Sequence, residues 1–219
     1  MSIPSESELP PSEIQRLQGH RASLIASFGY AFNGLLRTLC TQRNMKIHWV
    51  SAVAVMLVGM ALPLDLAARA SVMFCVAMVL CMEVLNTALE AFVDLHIRQF
   101  ARTAMIAKDA AAASVLILAI GATVVFADIL FHNWRMLFRS GEAISRTVLA
   151  GVPLLAAVGA GLWMKRRLST LVLLLIVAIL LTGYLAYHSR DEVFSSGALG
   201  FVILGFVARL REPRLLIRP

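Results

Sequence analysis

The feature that most constrains this chain is the stretch Met82 to Asp94, MEVLNTALEAFVD, which closes a long apolar run yet carries Glu83, Asn86, Glu90 and Asp94. Steps of three, four and four residues put all four on one stripe of a helix. The chain around them is 59% hydrophobic and 15% charged, with a mean hydropathy of +0.80, values that exclude an ordinary soluble domain and point to a polytopic membrane protein. A charged side chain at bilayer depth costs about 2.5–3.5 kcal/mol on insertion scales, so three carboxylates on one stripe need a cation, a partner or a substrate. The alternative, a hydrogen-bonded network gluing helices together, rarely uses three carboxylates.

Apolar runs at 47–63, 67–93, 110–131, 147–164, 168–187 and 194–210 approach the length of about 20 residues needed to cross a bilayer. The expected fold is therefore an all-α integral membrane protein with six transmembrane helices. Ahead of them, Ser23 to Cys40 sets Leu24, Phe28, Phe32, Leu35, Leu36 and Leu39 on one side and Asn33 and Arg37 on another. It predicts an amphipathic helix lying on the membrane surface. The second run, at about 1.5 Å per residue, is roughly 40 Å long and exceeds a hydrocarbon core of about 30 Å. Its surplus end carries the acidic stripe up to the water interface at Asp94.

The net charge of +7 would suggest nucleic acid in a soluble protein, but here the basic residues sit between apolar runs and read as topology signals. Arg16, Arg21, Arg37, Arg43, Lys46, Arg98, Arg102, Lys108, Lys165 to Arg167, Arg209, Arg211, Arg214 and Arg218 fall on one side, against Arg69, Arg135, Arg139, Arg146 and Arg190 on the other. Both termini are thus expected in the cytoplasm, and no nucleic-acid partner is implied. Trp49, Trp134, Trp163, Tyr184 and Tyr187 fall near expected span ends, as interfacial aromatics do. Cys40, Cys75 and Cys81 lack metal-ligand spacing and imply no disulfide framework. Residues 1–19 read as a disordered cytoplasmic tail, and 212–219 as a basic one.

Lys108 and Asp109 open the third span, and the small residues Ala110 to Ser114 let that helix pack closely, bringing Lys108 beside the carboxylates. Phosphoryl transfer needs carboxylates for Mg²⁺, a cation on the phosphates and a base at the attacking hydroxyl. All three types converge here.

The segments SFGYAFNGLLRTL, TQRNMKIHW, MEVLNTALEAFVD and AKDAAAASVL resemble the prokaryotic diacylglycerol kinases and their undecaprenol kinase relatives over about residues 20–131. The resemblance implies a three-span, trimeric kinase that uses ATP and Mg²⁺ on a lipid alcohol of the bacterial inner membrane. By position, Glu83 matches the proposed catalytic base, Glu90 a metal ligand that also serves the nucleotide, Asn86 an active-site polar residue, and Lys108 with Asp109 the nucleotide-binding pair. Tyr30 matches an aromatic of the nucleotide pocket. Gln42 stands where the TQRN motif normally carries a metal-binding glutamate; it offers a carbonyl oxygen but no charge, so metal affinity should fall.

Residues 132–211 form a further three-span module. Its segments RSGE (Arg139–Glu142) and HSRDE (His188–Glu192) resemble, in order, motifs of the type 2 phosphatidic acid phosphatases, with His188 as nucleophile, Glu192 as its orienter and Glu142 where the acid histidine belongs. Leu181 and Thr182 replace the phosphate-holding Ser-Arg pair, which implies a degenerate module. Three readings follow: a lipid kinase acting on diacylglycerol or undecaprenol at the cytoplasmic face, a non-catalytic lipid-binding or regulatory protein on that scaffold, and an outward-facing lipid-phosphate phosphatase.

Overall fold

The computed structural model describes residues 24–97, 101–139, 141–163, 167–189 and 191–217, with the backbone alone at 136–138 and 213–217. Arg98, Ser140, Lys165, Arg166, Arg190 and the expected N-terminal tail lie outside the described residues. Every regular element within them is an α-helix: α1 Leu24–Thr41, α2 Arg43–Ala61, α3 Leu66–His96, α4 Arg102–His132, α5 Trp134–Arg139, α6 Gly141–Trp163, α7 Leu168–His188 and α8 Glu192–Ile217. Helices α2, α3, α4, α6, α7 and the Glu192–Glu212 part of α8 are long and apolar enough to cross a membrane. The protein is an all-α integral membrane protein.

Helix boundaries follow local chemistry. Pro63 follows the end of α2, as expected where the residue before proline is pushed out of the helical region, and Leu62 is extended there. Asp65 then caps α3 by accepting from the Ala68 amide at 2.8 Å. Helix α4 begins eight residues before the expected apolar run, because Arg102 to Asp109 contains no proline or glycine and continues into an alanine-rich stretch. At 31 residues each, α3 and α4 are about 46 Å long, well beyond the apolar thickness of a bilayer. Helix α8 continues through residues expected to be tail.

Of the described residues, those up to Gly34 form one compact unit and those from Leu35 onward another. In the first, Leu24, Ile25, Phe28 and Tyr30 are exposed on α1, as an apolar face for a membrane surface requires. In the second, α2 is the hub: it packs on α3, α6 and α8, while α3 packs on α4, α6 on α7 and α7 on α8. Helix α4 leaves Leu116, Ile117, Ile120 and Val124 exposed.

The α2–α8 seam is antiparallel and tight. A Cβ at Gly59 would come within 2.7 Å of the Phe194 ring, so only glycine lets the two helices approach there. Midway, the Trp49 indole Nε1 donates to the Phe201 carbonyl at 2.9 Å, and the two rings meet edge to face at 4.8 Å. Trp49 is only 2% exposed, which corrects its expected place among the interfacial aromatics; Trp134, Trp163, Tyr184 and Tyr187 are exposed. Farther along, the Cys40 Sγ donates to the Ala208 carbonyl at 3.2 Å. Burial pushes the Cys40 thiol up to about 11, with the Glu212 carboxylate adding to the rise and Arg209 and Lys46 opposing it. At the opposite end of the seam, Asp191 pairs with Arg69 at 3.2 Å and accepts from the Val193 and Phe194 amides at 3.0 Å, capping α8.

Candidate functional site

The site is built on about the last four turns of α3. Glu83 is 2% exposed, Asn86 is buried, Glu90 half-buried and Asp94 exposed, so the stripe climbs from the interior of the bundle to its end as its spacing requires. Asn86 Nδ2 donates to Glu90 Oε1 at 3.1 Å. The Lys108 ammonium, reaching from the start of α4, forms an ion pair with Asp94, which places a cation at the top of the ladder. Asp109, the next residue, is exposed.

Two atoms on this stripe are orphans: Glu83 Oε2 and Asn86 Oδ1 are buried and have no hydrogen-bond partner. Buried polar groups are normally satisfied, and an orphan carboxylate oxygen marks a place where a proton donor or cation belongs. The donor set is all oxygen, the chemistry of a hard cation such as Mg²⁺. Among the described residues no group of three or more His, Cys, Asp or Glu side chains is placed to hold a metal ion. Mg²⁺ is usually held by one or two carboxylates, with substrate phosphates and water completing its octahedron.

Gln42 is the single extended residue between α1 and α2, with φ −90° and ψ 126°; its side chain makes no cap hydrogen bond, which leaves the carboxamide oxygen available as a ligand. Tyr30 is 62% exposed on α1, within the first unit.

Reasoning from sequence alone missed a groove of about 310 Å³ between α2, α3 and α4. Val76, Val79, Leu80, Ala122 and Phe126 line it, with His48 and Ser51 as polar points, and it ends one turn from Glu83. The available signal was His48 and Ser51, one turn apart in an otherwise apolar stretch of α2.

The second candidate constellation is not assembled in the same way. Glu142 lies in the first turn of α6, and its backbone carbonyl accepts from Ser145 Oγ and Arg146 Nε. His188 Nδ1 bonds its own helix at the Tyr184 carbonyl, 2.9 Å away, with its ring against Tyr184 and Tyr187. Glu192 is exposed in the first turn of α8. No hydrogen bond or ion pair among the described residues joins His188, Glu192 and Glu142. The acid that is engaged in this segment is Asp191, through Arg69 and the α8 cap.

Comparison with known proteins matches residues 29–130 to the family model described as prokaryotic diacylglycerol kinase. The chain is 42% identical over 104 residues to a diacylglycerol kinase of Synechocystis sp., covering 47% of this chain and 59% of that protein. It is 34% identical over 94 residues to an undecaprenol kinase of Bacillus subtilis, covering 43% of this chain and 76% of that one. The chain thus spans less than two thirds of the length of the first relative. No solved structure matches it.

Proposed function

The chain belongs to the prokaryotic diacylglycerol kinase family, and from that premise we propose that it transfers the γ-phosphoryl group of ATP to the hydroxyl of a membrane lipid, diacylglycerol or undecaprenol. The observation that carries this reading is the buried Glu83 with an unpartnered carboxylate oxygen at the foot of a polar ladder ending in Lys108. ATP-dependent phosphorylation of the two lipids by the purified chain in mixed micelles tests it; incorporation into neither would overturn it.

In this reading the lipid hydroxyl lies against Glu83, whose free Oε2 takes its proton as the oxygen attacks the γ-phosphorus and ADP leaves. Asn86 holds Glu90 in register, and Asp94 holds the Lys108 ammonium where the phosphates arrive. Glu90 and Gln42 would hold Mg²⁺, with Asn86 Oδ1 as a further oxygen donor. Mg²⁺ when bound neutralises charge on the transferring phosphoryl group. Asp109 would contact the nucleotide, and the resemblance to the family alone assigns a nucleotide contact to Tyr30.

Because the ladder ends in water and the lysines and arginines lie mostly on its side, the site faces the cytoplasm of the bacterial inner membrane, with both termini there. The exposed α4 face is available to further copies, in line with a homotrimer. Gln42→Glu should restore a second carboxylate and lower the Mg²⁺ concentration for half activity by several-fold; an unchanged Mg²⁺ dependence would remove Gln42 from the metal site. The C-terminal helices are read as non-catalytic. His188→Ala, which removes only a ring bonded to its own helix, should leave lipid phosphorylation within a few-fold and abolish no phosphatase activity. A phosphatase activity of the parent chain that vanishes in this variant would make the protein bifunctional.

A further inference from the structure

The family match ends at residue 130, yet α8 runs the length of α2 and reaches the residues just before Gln42. Only one residue, Gln42, separates α1 from α2, and its amide donates to the Thr38 carbonyl at 2.9 Å while its own carbonyl accepts from the Lys46 amide at 3.3 Å. The residues leading into this junction, Thr38, Leu39 and Cys40, are all buried. What fixes Cys40 is α8, through the bond from its thiol to the Ala208 carbonyl.

The next residue along α8 is a buried charge. Arg209 is 7% exposed; its Nε donates to the Gly161 carbonyl of α6 at 3.0 Å, and its guanidinium pairs with Glu212. A buried guanidinium is costly unless its fork of donors is satisfied, and when it is, the planar group fixes the geometry of what surrounds it. Arg209 thereby ties the end of α6 to the turn of α8 on which Cys40 rests. An apolar residue would serve simple packing at lower desolvation cost.

We infer that Arg209, with Glu212, is a positioning residue for the phosphotransfer site: the clasp it forms between α6 and α8 sets the α1–α2 junction and so the place of Gln42. The three C-terminal helices would then act on the kinase half, through this junction, without chemistry of their own. The inference rests on Gln42 serving the nucleotide-bound metal, as proposed above.

The test uses the full-length protein in detergent micelles, carrying Cys75→Ala and Cys81→Ala so that Cys40 is the one thiol. Two quantities are followed: the rate at which a maleimide labels Cys40, and the affinity for ATP in the presence of Mg²⁺, measured by equilibrium dialysis, alongside KM and kcat for lipid phosphorylation. Arg209→Met should speed Cys40 labelling at least about tenfold, weaken ATP affinity and raise its KM about fivefold, and leave kcat within about twofold. Arg209→Lys, which keeps the charge opposite Glu212 but loses the Nε donor to Gly161, should fall between the parent and Arg209→Met on both readouts. If Arg209→Met does not yield folded protein, Glu212→Gln removes the same ion pair from a partly exposed partner and should give intermediate changes in the same direction. Fast labelling with unaltered ATP affinity would reduce the clasp to packing and overturn the inference, as would unaltered labelling. A parent chain that binds no ATP in Mg²⁺ would instead overturn the kinase reading itself, and this inference with it.

Discussion

Replacing Glu83 with glutamine is expected to lower lipid phosphorylation by about 10² or more, with the helices intact. The substitution keeps shape and one oxygen acceptor but removes the group that can take a proton from an attacking hydroxyl. The unpartnered oxygen loses no hydrogen bond, because Glu83 Oε2 has none in the fold. Exchanging a buried ionisable carboxyl for a neutral amide also lowers the desolvation cost of folding, so thermal stability should be unchanged or raised. Turnover at saturating ATP should therefore fall while the unfolding midpoint and the affinity for ATP in Mg²⁺ hold. Loss of both turnover and stability would mark Glu83 as a structural hub. Retained turnover would sink its assignment as the base.

The ladder from Glu83 to Asp94 was legible because helical periodicity is strict: carboxylates three and four residues apart share a face whatever packs around them. Its approach to Lys108 was legible too, since the small residues Ala110 to Ser114 let the start of α4 pack close to the end of α3. The partners of α2 were not. In a bilayer, a side chain that meets lipid and one that meets another helix are both apolar, so hydropathy cannot tell Leu116, exposed on α4, from Val53, fully buried on α2. In HSRDE the sequence drew attention to the histidine, whereas cap geometry selected Asp191, whose short carboxylate reaches the first amides of α8 while His188 turns back on α7. The role of Arg209 was equally hidden: a basic residue at the end of a span reads as a topology signal, and only the fold brings Gly161 and Glu212 to it.

Trp49→Ala is expected to destabilise the folded chain by about 3–5 kcal/mol, the range for truncating a large buried aromatic. Trp49 is nearly fully enclosed, and two interactions end with it: the indole hydrogen bond to Phe201 and the edge-to-face contact of the rings. The Phe201 carbonyl lies on α8, where the helix gives it another partner, so most of the loss comes from the cavity opened between α2 and Gly205, whose Cβ position lies 3.2 Å from the indole nitrogen. Lipid cannot easily fill that space, because α6 and α8 close over this side of α2. For a chain of this size such a loss should lower the thermal midpoint in detergent by about 6–20 °C. Trp49→Phe keeps most of the volume, loses the hydrogen bond and should cost about 1 kcal/mol for it, plus a smaller cavity term. If Trp49 instead faced lipid as an interfacial anchor, both variants would leave the midpoint nearly unchanged, and α8 would have to pack elsewhere.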